Sequence, residues 1–343
     1  MGAVFALLIV LVYAQVRMFR SFHWSALAQA FDSIRWMQLA LATALIYGAY
    51  ITRAFRWSVF LRPTKPATPA QMMPAQFIGF TAVAILGRLA EFVRPYLVSK
   101  RQQLTFASQI GVLAVERVFD LLASAVIIAV TLSVSTSVRG LPHHEDFRRA
   151  GYIGIAAALV LALVAVAIRF VGPRIAEAAG RTFGIVSRKF GHGVKEKILA
   201  FSHGLGAIGG PFDLVLALFY SFLTWGLIAV AYIVVVHAFR MPDLARIAPA
   251  QTIVLMAASM FGSFAQLPAI GGGSQVAILY VLTNILGVAP EAATACALTL
   301  WLVTFLTVIP AGLFFARVEH VSLRNVAKAS EAEEVVLVEE GAL

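Results

Sequence analysis

Long apolar runs without a charged residue recur along the 343-residue chain, and they limit its fold more than any other feature. A helix needs ~20 mostly apolar residues to cross the ~30 Å hydrocarbon core of a bilayer. Because 60% of the residues are hydrophobic and only 13% are charged, a soluble enzyme is excluded. The sequence therefore predicts an all-α polytopic membrane protein. Runs near the required length cover 36–52, 121–138, 150–168, 214–239 and 292–316.

A shorter apolar run, 2–16, predicts one more membrane helix and brings the expected number of spans to about six. We expect a single transmembrane domain over 1–318. The segment 319–343 ends in a cluster of glutamates, and we expect it to form a disordered acidic tail in the cytoplasm.

The distribution of basic residues predicts the orientation of the chain in the membrane. Lys and Arg outnumber Asp and Glu by 27 to 17, and the segment 169–211 is rich in them. Basic loops favour the cytoplasmic side, so we expect this loop and both chain termini in the cytoplasm. The loop is either an amphipathic helix on anionic lipid or a solvated basic segment. The positive charge indicates a lipid surface as partner and no nucleic acid.

Two further apolar stretches, 74–98 and 249–287, are interrupted by Pro and Gly, and each lies between two predicted spans. Such broken segments in corresponding positions are typical of transporters with inverted repeats. We predict two re-entrant helical hairpins, in repeat one over about 36–134 and repeat two over about 212–316. Alternatively, the second stretch forms two full helices. The matched residues are Pro74, Ala75, Gln76, Gly87, Glu91 and Tyr96 against Pro249, Ala250, Gln251, Gly271, Gln275 and Tyr280.

The second arm of the first hairpin carries charges that a lipid-facing helix would not tolerate. Arg88, Glu91 and Arg94 are spaced at i, i+3 and i+6, which places them along one helical face. Two guanidinium groups around one carboxylate leave one arginine for an anion, and arginine suits bidentate phosphate binding. The alternative is an internal Arg–Glu pair that only neutralises itself.

The next span begins with two carboxylates and one arginine, in Glu116, Arg117 and Asp120. Glu116 and Asp120 share a helix face and need a cation at this depth, which Arg88 or Arg94 could supply. We interpret this group either as a structural ion pair or as a proton or substrate relay.

Two more groups of residues are candidates for contact with lipid. We interpret Arg53, Arg56 and Trp57 as anchors at the membrane interface, with the arginines snorkelling toward water. Three glycines after Pro268 free the backbone for a nest of N–H groups able to hold an anion. These glycines are Gly271, Gly272 and Gly273. No His or Cys spacing indicates a metal site, and we expect neither a cofactor nor catalysis.

Three stretches carry a resemblance to a known family: GRLAEFVRPYLVSKR (Gly87–Arg101), ERVFDLL (Glu116–Leu122) and PAIGGGSQVAILYVL (Pro268–Leu282). The chain from 1 to about 318 resembles the lysylphosphatidylglycerol synthase transmembrane region, also called the flippase-like domain family. The family often has Glu where this chain has Gln275, which removes a charge from the second hairpin. The resemblance covers the membrane region alone, so we expect a stand-alone member without an aminoacyltransferase domain.

The resemblance implies translocation of an anionic or isoprenoid-linked lipid across the bacterial inner membrane. The expected partners are anionic phospholipid or polyprenyl-phosphate-linked lipid, together with a second copy of the chain or a lipid-synthesis enzyme. The alternatives are an accessory subunit or integral-membrane enzyme of lipid or envelope modification, and a secondary transporter of a small anion. We further expect the Arg88–Arg94 face and the Gly271–Gly273 turn to border one cavity that holds the head group.

The orientation can be tested by labelling single cysteines in intact cells. In a Cys296→Ala background, Ile185→Cys should be protected from a membrane-impermeant reagent because the basic loop faces the cytoplasm. Gly140→Cys should be labelled. The reverse pattern would overturn both the orientation and the inverted repeat.

Overall fold

The computed structural model describes residues 23–140, 144–184, 188–263, 266–267, 271–322 and 329. Most of these residues lie in helices, which confirms the predicted all-α polytopic class. The expected helix over 2–16 and nearly all of the acidic tail lie outside the described residues.

The helices follow one another with short connections. In chain order they are α1 (Trp24–Asp32), α2 (Trp36–Leu61), α3 (Pro69–Leu86), α4 (Val93–Gln102), α5 (Phe106–Val134), α6 (Thr136–Arg139), α7 (His144–Gly184), α8 (Arg188–Gly204), α9 (Pro211–Val236), α10 (Pro242–Ala245), α11 (Pro249–Gly262), α12 (Gly273–Tyr280), α13 (Pro290–Trp301) and α14 (Val308–Val318). A 3₁₀ turn (Arg88–Phe92) precedes α4, and π-helical segments follow α12 (Val281–Ile285) and α13 (Leu302–Leu306). Two-residue strands β1 (Gln266–Leu267) and β2 (Gly271–Gly272) pair antiparallel between α11 and α12.

Four helical stretches of the described chain are long and apolar enough to cross a membrane. They are Pro69–Leu86, Phe106–Val134, Pro211–Val236 and Pro290–Val318. About six spans were expected. The 26-residue α2 carries Arg53 and Arg56 near its C-terminal end, and the predicted span 150–168 forms part of the 41-residue α7. The number of spans therefore stays a prediction.

The order of elements repeats in the two halves of the chain. Helix α2, a hairpin of α3 and α4, and helix α5 form the first series. Helix α9, a hairpin of α11 and α12, and the stretch α13–α14 form the second. The opposite orientation of the two series in a membrane stays a prediction.

The entrance of each hairpin is built by the same three residues, Pro-Ala-Gln. Proline at the first helical position needs no N–H partner, and the glutamine side chain reaches back to cap the backbone N–H that precedes the helix. The Gln71 Oε1 accepts from the N–H of Thr68 at 2.9 Å, and the Gln251 Oε1 accepts from that of Ala248 at 2.9 Å. The match to Pro74 was therefore wrong: the residues equivalent to Pro249–Gln251 are Pro69–Gln71, and Pro74 lies inside α3.

Glycines with positive φ start the return arm of each hairpin. Gly87 (φ 85°) and Gly272 (φ 130°) directly precede the helical turns of these arms, in a conformation that side chains disfavour. In the second hairpin α11 has 14 residues and α12 has 8. Both are shorter than the ~20 residues of a spanning helix, which favours a hairpin over two full helices.

The basic segment over 169–211 is largely helical, in agreement with the alternative of an amphipathic helix, and its cytoplasmic position stays a prediction. α7 continues through Pro173 to Gly184, and α8 follows. An ion pair between Glu177 and Arg181 at i, i+4 (3.0 Å) supports the helical conformation. α8 packs on α5, where a Cβ on Gly111 would lie 2.9 Å from the Gly204 Cα.

The two halves are joined along α2 and α9, which pack against each other. The segments next to these helices pair as a β-bridge, with the Arg35 N–H donating to the Ala238 carbonyl at 2.9 Å. Hydroxyls on α2 also hold the second π-helical segment: Tyr47 donates to the Thr307 carbonyl at 2.6 Å and Tyr50 to the Thr304 carbonyl at 3.1 Å. The first hairpin packs on α2 through α3, and the second packs on α9 through α11.

The contact between α3 and α14 depends on Gly312. A Cβ at Gly312 would clash with the Thr81 hydroxyl and lie 2.6 Å from the Phe77 carbonyl oxygen, which is backbone and cannot move aside cheaply. Gly226 on α9 has open space around its Cβ position.

We expect Gly312→Ala to destabilise the protein by ~1–3 kcal/mol through overpacking, although alanine favours helix. Gly226→Ala is the matched control and should be neutral or stabilising. Thermal unfolding of the detergent-solubilised protein measures both, and equal shifts would contradict this packing.

Candidate functional site

A cluster of buried charges connects the first series of helices. Glu116 and Asp120 lie on one face of α5 and receive arginines from three elements. Arg53 and Arg56 come from α2, Arg94 from α4 and Arg117 from α5 itself. This cluster is the candidate functional site.

Arg56 is fully buried at the centre of the cluster. Its Nη2 donates to Glu116 Oε1 at 2.7 Å, and its Nη1 donates to Asp120 Oδ1 at 2.7 Å and to the Ser221 hydroxyl at 2.8 Å. Arg53 Nη1 donates to Asp120 Oδ2 at 3.1 Å. A charge can be buried at this depth only with such partners.

The interpretation of Arg53, Arg56 and Trp57 as interfacial anchors is therefore wrong. All three side chains are buried in the protein. They resemble anchors in sequence because they lie near a helix end, but the carboxylates of α5 draw the arginines inward, away from the lipid interface.

Arg94 is not left over for an anion. Its Nη2 lies 2.6 Å from Glu116 Oε2, its Nη1 donates to Gln76 Oε1 at 3.0 Å, and its guanidinium stacks 4.7 Å from the centroid of the Trp57 ring. The expectation of one Arg88–Glu91–Arg94 face stays a prediction: residues 88–92 form a 3₁₀ turn, in which side chains three residues apart lie on one face. The Arg88 side chain lies outside the described part of the structure.

The pair between Arg117 and Glu91 forms the accessible edge of the cluster. Arg117 Nη2 lies 3.1 Å from Glu91 Oε1, and the two side chains are 43% and 35% exposed. Among the described side chains, four arginines face three carboxylates. These described side chains together carry one net positive charge.

The cluster lies at one end of a cavity of about 240 Å³ between the two hairpins. Arg53, Arg94, Arg117 and Glu91 line the charged end. The other walls are largely apolar and come from both halves of the chain: Ile46, Val83, Ile228, Met256, Met260 and Phe305. The cavity is thus cationic at one end and apolar along its walls.

Trp225 connects the second half of the chain to the charges. Its Nε1–H donates to Asp120 Oδ1 at 3.2 Å, and its ring lines the cavity. The second hairpin contributes Ser259 and Ser263 to the lining, and the Tyr232 hydroxyl and the Ser259 hydroxyl are hydrogen-bonded at 2.9 Å. Sequence reasoning missed these residues because each stands alone in an uncharged run.

The expectation that Arg94 and Gly272 border one cavity is wrong. Of the described residues, those that line the cavity do not include Gly272 or Gly273. The Gly272 N–H already donates to the Gln275 side chain, and Gly273 lines a separate apolar groove with Gly262 and Tyr280. Gly271 lies in β2. Over the described residues, no group of His, Cys, Asp and Glu is arranged to hold a metal ion.

These features define a class of protein: a polytopic α-helical membrane protein with a charged cavity between two helical hairpins. The chain belongs to the lysylphosphatidylglycerol synthase transmembrane-region family, whose sequence model matches residues 2–312. The resemblance seen in the sequence is thereby confirmed, and it relates the chain to lipid modification or flipping. No match was found among curated proteins or among solved structures.

Removing a buried arginine of the cluster should destabilise the protein more than removing the arginine of an exposed ion pair. Arg94→Met should destabilise the protein by ~3–5 kcal/mol because it leaves the Glu116 carboxylate undercompensated. Arg101→Met removes the exposed pair with Glu319 (2.8 Å) and should cost under ~1 kcal/mol. Unfolding midpoints in detergent compare the two variants, and a smaller loss for Arg94→Met would contradict a structural role.

Proposed function

We propose that this protein translocates an anionic lipid, either a phospholipid or a polyprenyl-phosphate-linked lipid, across the bacterial inner membrane. The supporting observation is the cavity between the hairpins, which has an arginine-rich end and apolar walls. Guanidinium groups bind phosphate oxygens in pairs of hydrogen bonds. One net positive charge at this end favours a ligand with a negative head group.

The size of the cavity supports a lipid whose chains stay outside it. A volume of about 240 Å³ is below the ~300–1,000 Å³ of pockets that enclose a whole small ligand. A head group fits this space, while acyl or isoprenoid chains remain in the bilayer. The cavity must then open sideways to lipid during transport.

The repeated hairpins supply a mechanism for moving the head group. If they enter the membrane from opposite sides, each can open the cavity to one side in turn. Two partly exposed contacts bridge distant parts of the chain: Arg62 pairs with Asp213 at 3.0 Å, and the His23 imidazole lies 3.2 Å from the Glu291 carboxylate. Such pairs contribute only ~0–1 kcal/mol and can break and re-form cheaply.

A secondary transporter of a small anion is the second candidate function, because the cavity is large enough for such an anion without any lateral opening. The proposal assigns no catalytic step to the chain. Arginines hold both buried carboxylates, Glu116 and Asp120, so neither is placed to act as a general acid or base.

Translocation should depend on the exposed arginine of the cluster. In proteoliposomes with fluorescent phosphatidylglycerol, Arg117→Gln should slow lipid translocation about tenfold or more, since a charge-assisted hydrogen bond contributes ~1.5–3 kcal/mol. Arg101→Gln, outside the cavity, is the control and should keep the wild-type rate. Uptake of radiolabelled phosphate is measured in the same vesicles.

Wild-type protein that moves no lipid would overturn the proposal, and phosphate uptake without lipid movement would establish the second candidate. Mass spectrometry of lipid extracted from gently solubilised protein identifies the lipid that binds. Equal rates of lipid translocation by wild type and Arg117→Gln would show that the charged end of the cavity has no part in translocation.

A further inference from the structure

Two types of arginine meet in the charged cluster, and they differ in whether a ligand could replace their partner. Arg56 and Arg94 are buried and bound to buried carboxylates. Displacing either would leave a buried carboxylate with too few cationic partners, which is costly. Arg117 has a half-exposed partner, Glu91, at 3.1 Å.

We infer that Glu91 is a built-in counter-ion that the anionic head group displaces from Arg117 when it binds. The inference rests on the proposed function. At Arg117, the anionic head group takes the place of the Glu91 carboxylate. Both side chains line the cavity, so the head group can reach the pair directly.

Arg117 keeps its position when Glu91 leaves. Its Nη2 lies 3.6 Å from Glu116 Oε2 and its Nη1 lies 3.6 Å from Asp120 Oδ2. These longer contacts orient the guanidinium while leaving donors for a phosphate group, since guanidinium has five N–H donors. The site is therefore formed before the ligand arrives.

Glu91 can leave Arg117 without being buried and unpaired. It lies in the 3₁₀ turn that follows Gly87, between the two arms of the first hairpin, and 35% of its side chain is exposed. Water can solvate the released carboxylate. Release of Glu91 also breaks the ion pair between this turn and α5. Binding of the head group is thereby coupled to movement of the turn that joins the two arms of the hairpin.

The displaced Glu91 carboxylate should make the site prefer phosphodiesters over phosphomonoesters. After displacement, the Glu91 carboxylate remains nearby and repels a second negative charge. A phosphodiester head group, with one charge, should therefore bind better than a phosphomonoester with up to two. A neutral residue at position 91 should weaken this discrimination.

Calorimetric titration of the purified full-length chain with soluble dihexanoylphosphatidylglycerol tests the inference. Glu91→Gln should bind this phosphodiester about fivefold more tightly, as expected for removal of a partly exposed competing ion pair. It should also gain more for dihexanoylphosphatidic acid, a phosphomonoester. Arg117→Gln should bind both weakly.

The matched control is Glu319→Gln, which removes the carboxylate of the similarly exposed Arg101–Glu319 pair outside the cavity and should leave both affinities unchanged. Glu91→Ala is a second variant with the same expectation as Glu91→Gln, and unfolding midpoints verify that both are folded. Inorganic phosphate is titrated in parallel. Tighter phosphate binding by Glu91→Gln supports the exchange whichever molecule carries the anion.

The inference is overturned if wild-type protein binds the lipid and Glu91→Gln binds it equally or more weakly, since Glu91 then does not compete with the head group. That result leaves the proposed function intact. Wild-type protein that binds neither lipid would instead contradict the proposed function, and the inference would fail with it.

Discussion

The carboxylate of Glu116 holds the first half of this protein together. It accepts Arg56 from α2 and Arg94 from α4, both at 2.7 Å or less, while its own side chain is almost completely buried on α5. In a low-dielectric interior such contacts are strong, and any partner left alone is very unfavourable. Helices α2 and α5 and the first hairpin, which contains α4, must therefore adopt their positions together. A loosely packed first hairpin would expose charges that the membrane does not tolerate.

The same cluster is graded from the interior to the cavity, and this gradation underlies the proposed binding site. Arg56 is enclosed, Arg94 touches the cavity, and Arg117 is 43% exposed beside it. The inner members supply rigidity and the outer member supplies an accessible charge. Trp225 extends the hydrogen-bond network to the second half through Asp120, so a ligand at Arg117 is adjacent to both halves of the chain.

The sequence predicted the helical class, the two hairpins and the group of charged residues, because each depends on local spacing and hydrophobicity. It did not predict which cation meets which carboxylate, since that depends on how α2, α4 and α5 pack. Arg56 illustrates this: its position near a helix end fits an interfacial anchor, and only the packing of α5 shows that it is enclosed. The predicted anion-binding nest at Gly271–Gly273 was wrong for a related reason. The Gln275 side chain accepts the Gly272 N–H that such a nest would offer.

The π-helical segments distinguish the two halves of the chain in backbone geometry. Over the described residues, both segments lie in the second half, at Val281–Ile285 and Leu302–Leu306, and the tyrosines of α2 hold carbonyls at and just after the latter. A π-helical turn contains one residue more than an α-helical turn. Its removal would rotate the following helix by about 100°, the angle that one residue occupies in an α-helix. Among the described residues, a rotation of this kind is available only to helices of the second half, because that half contains both π-helical turns.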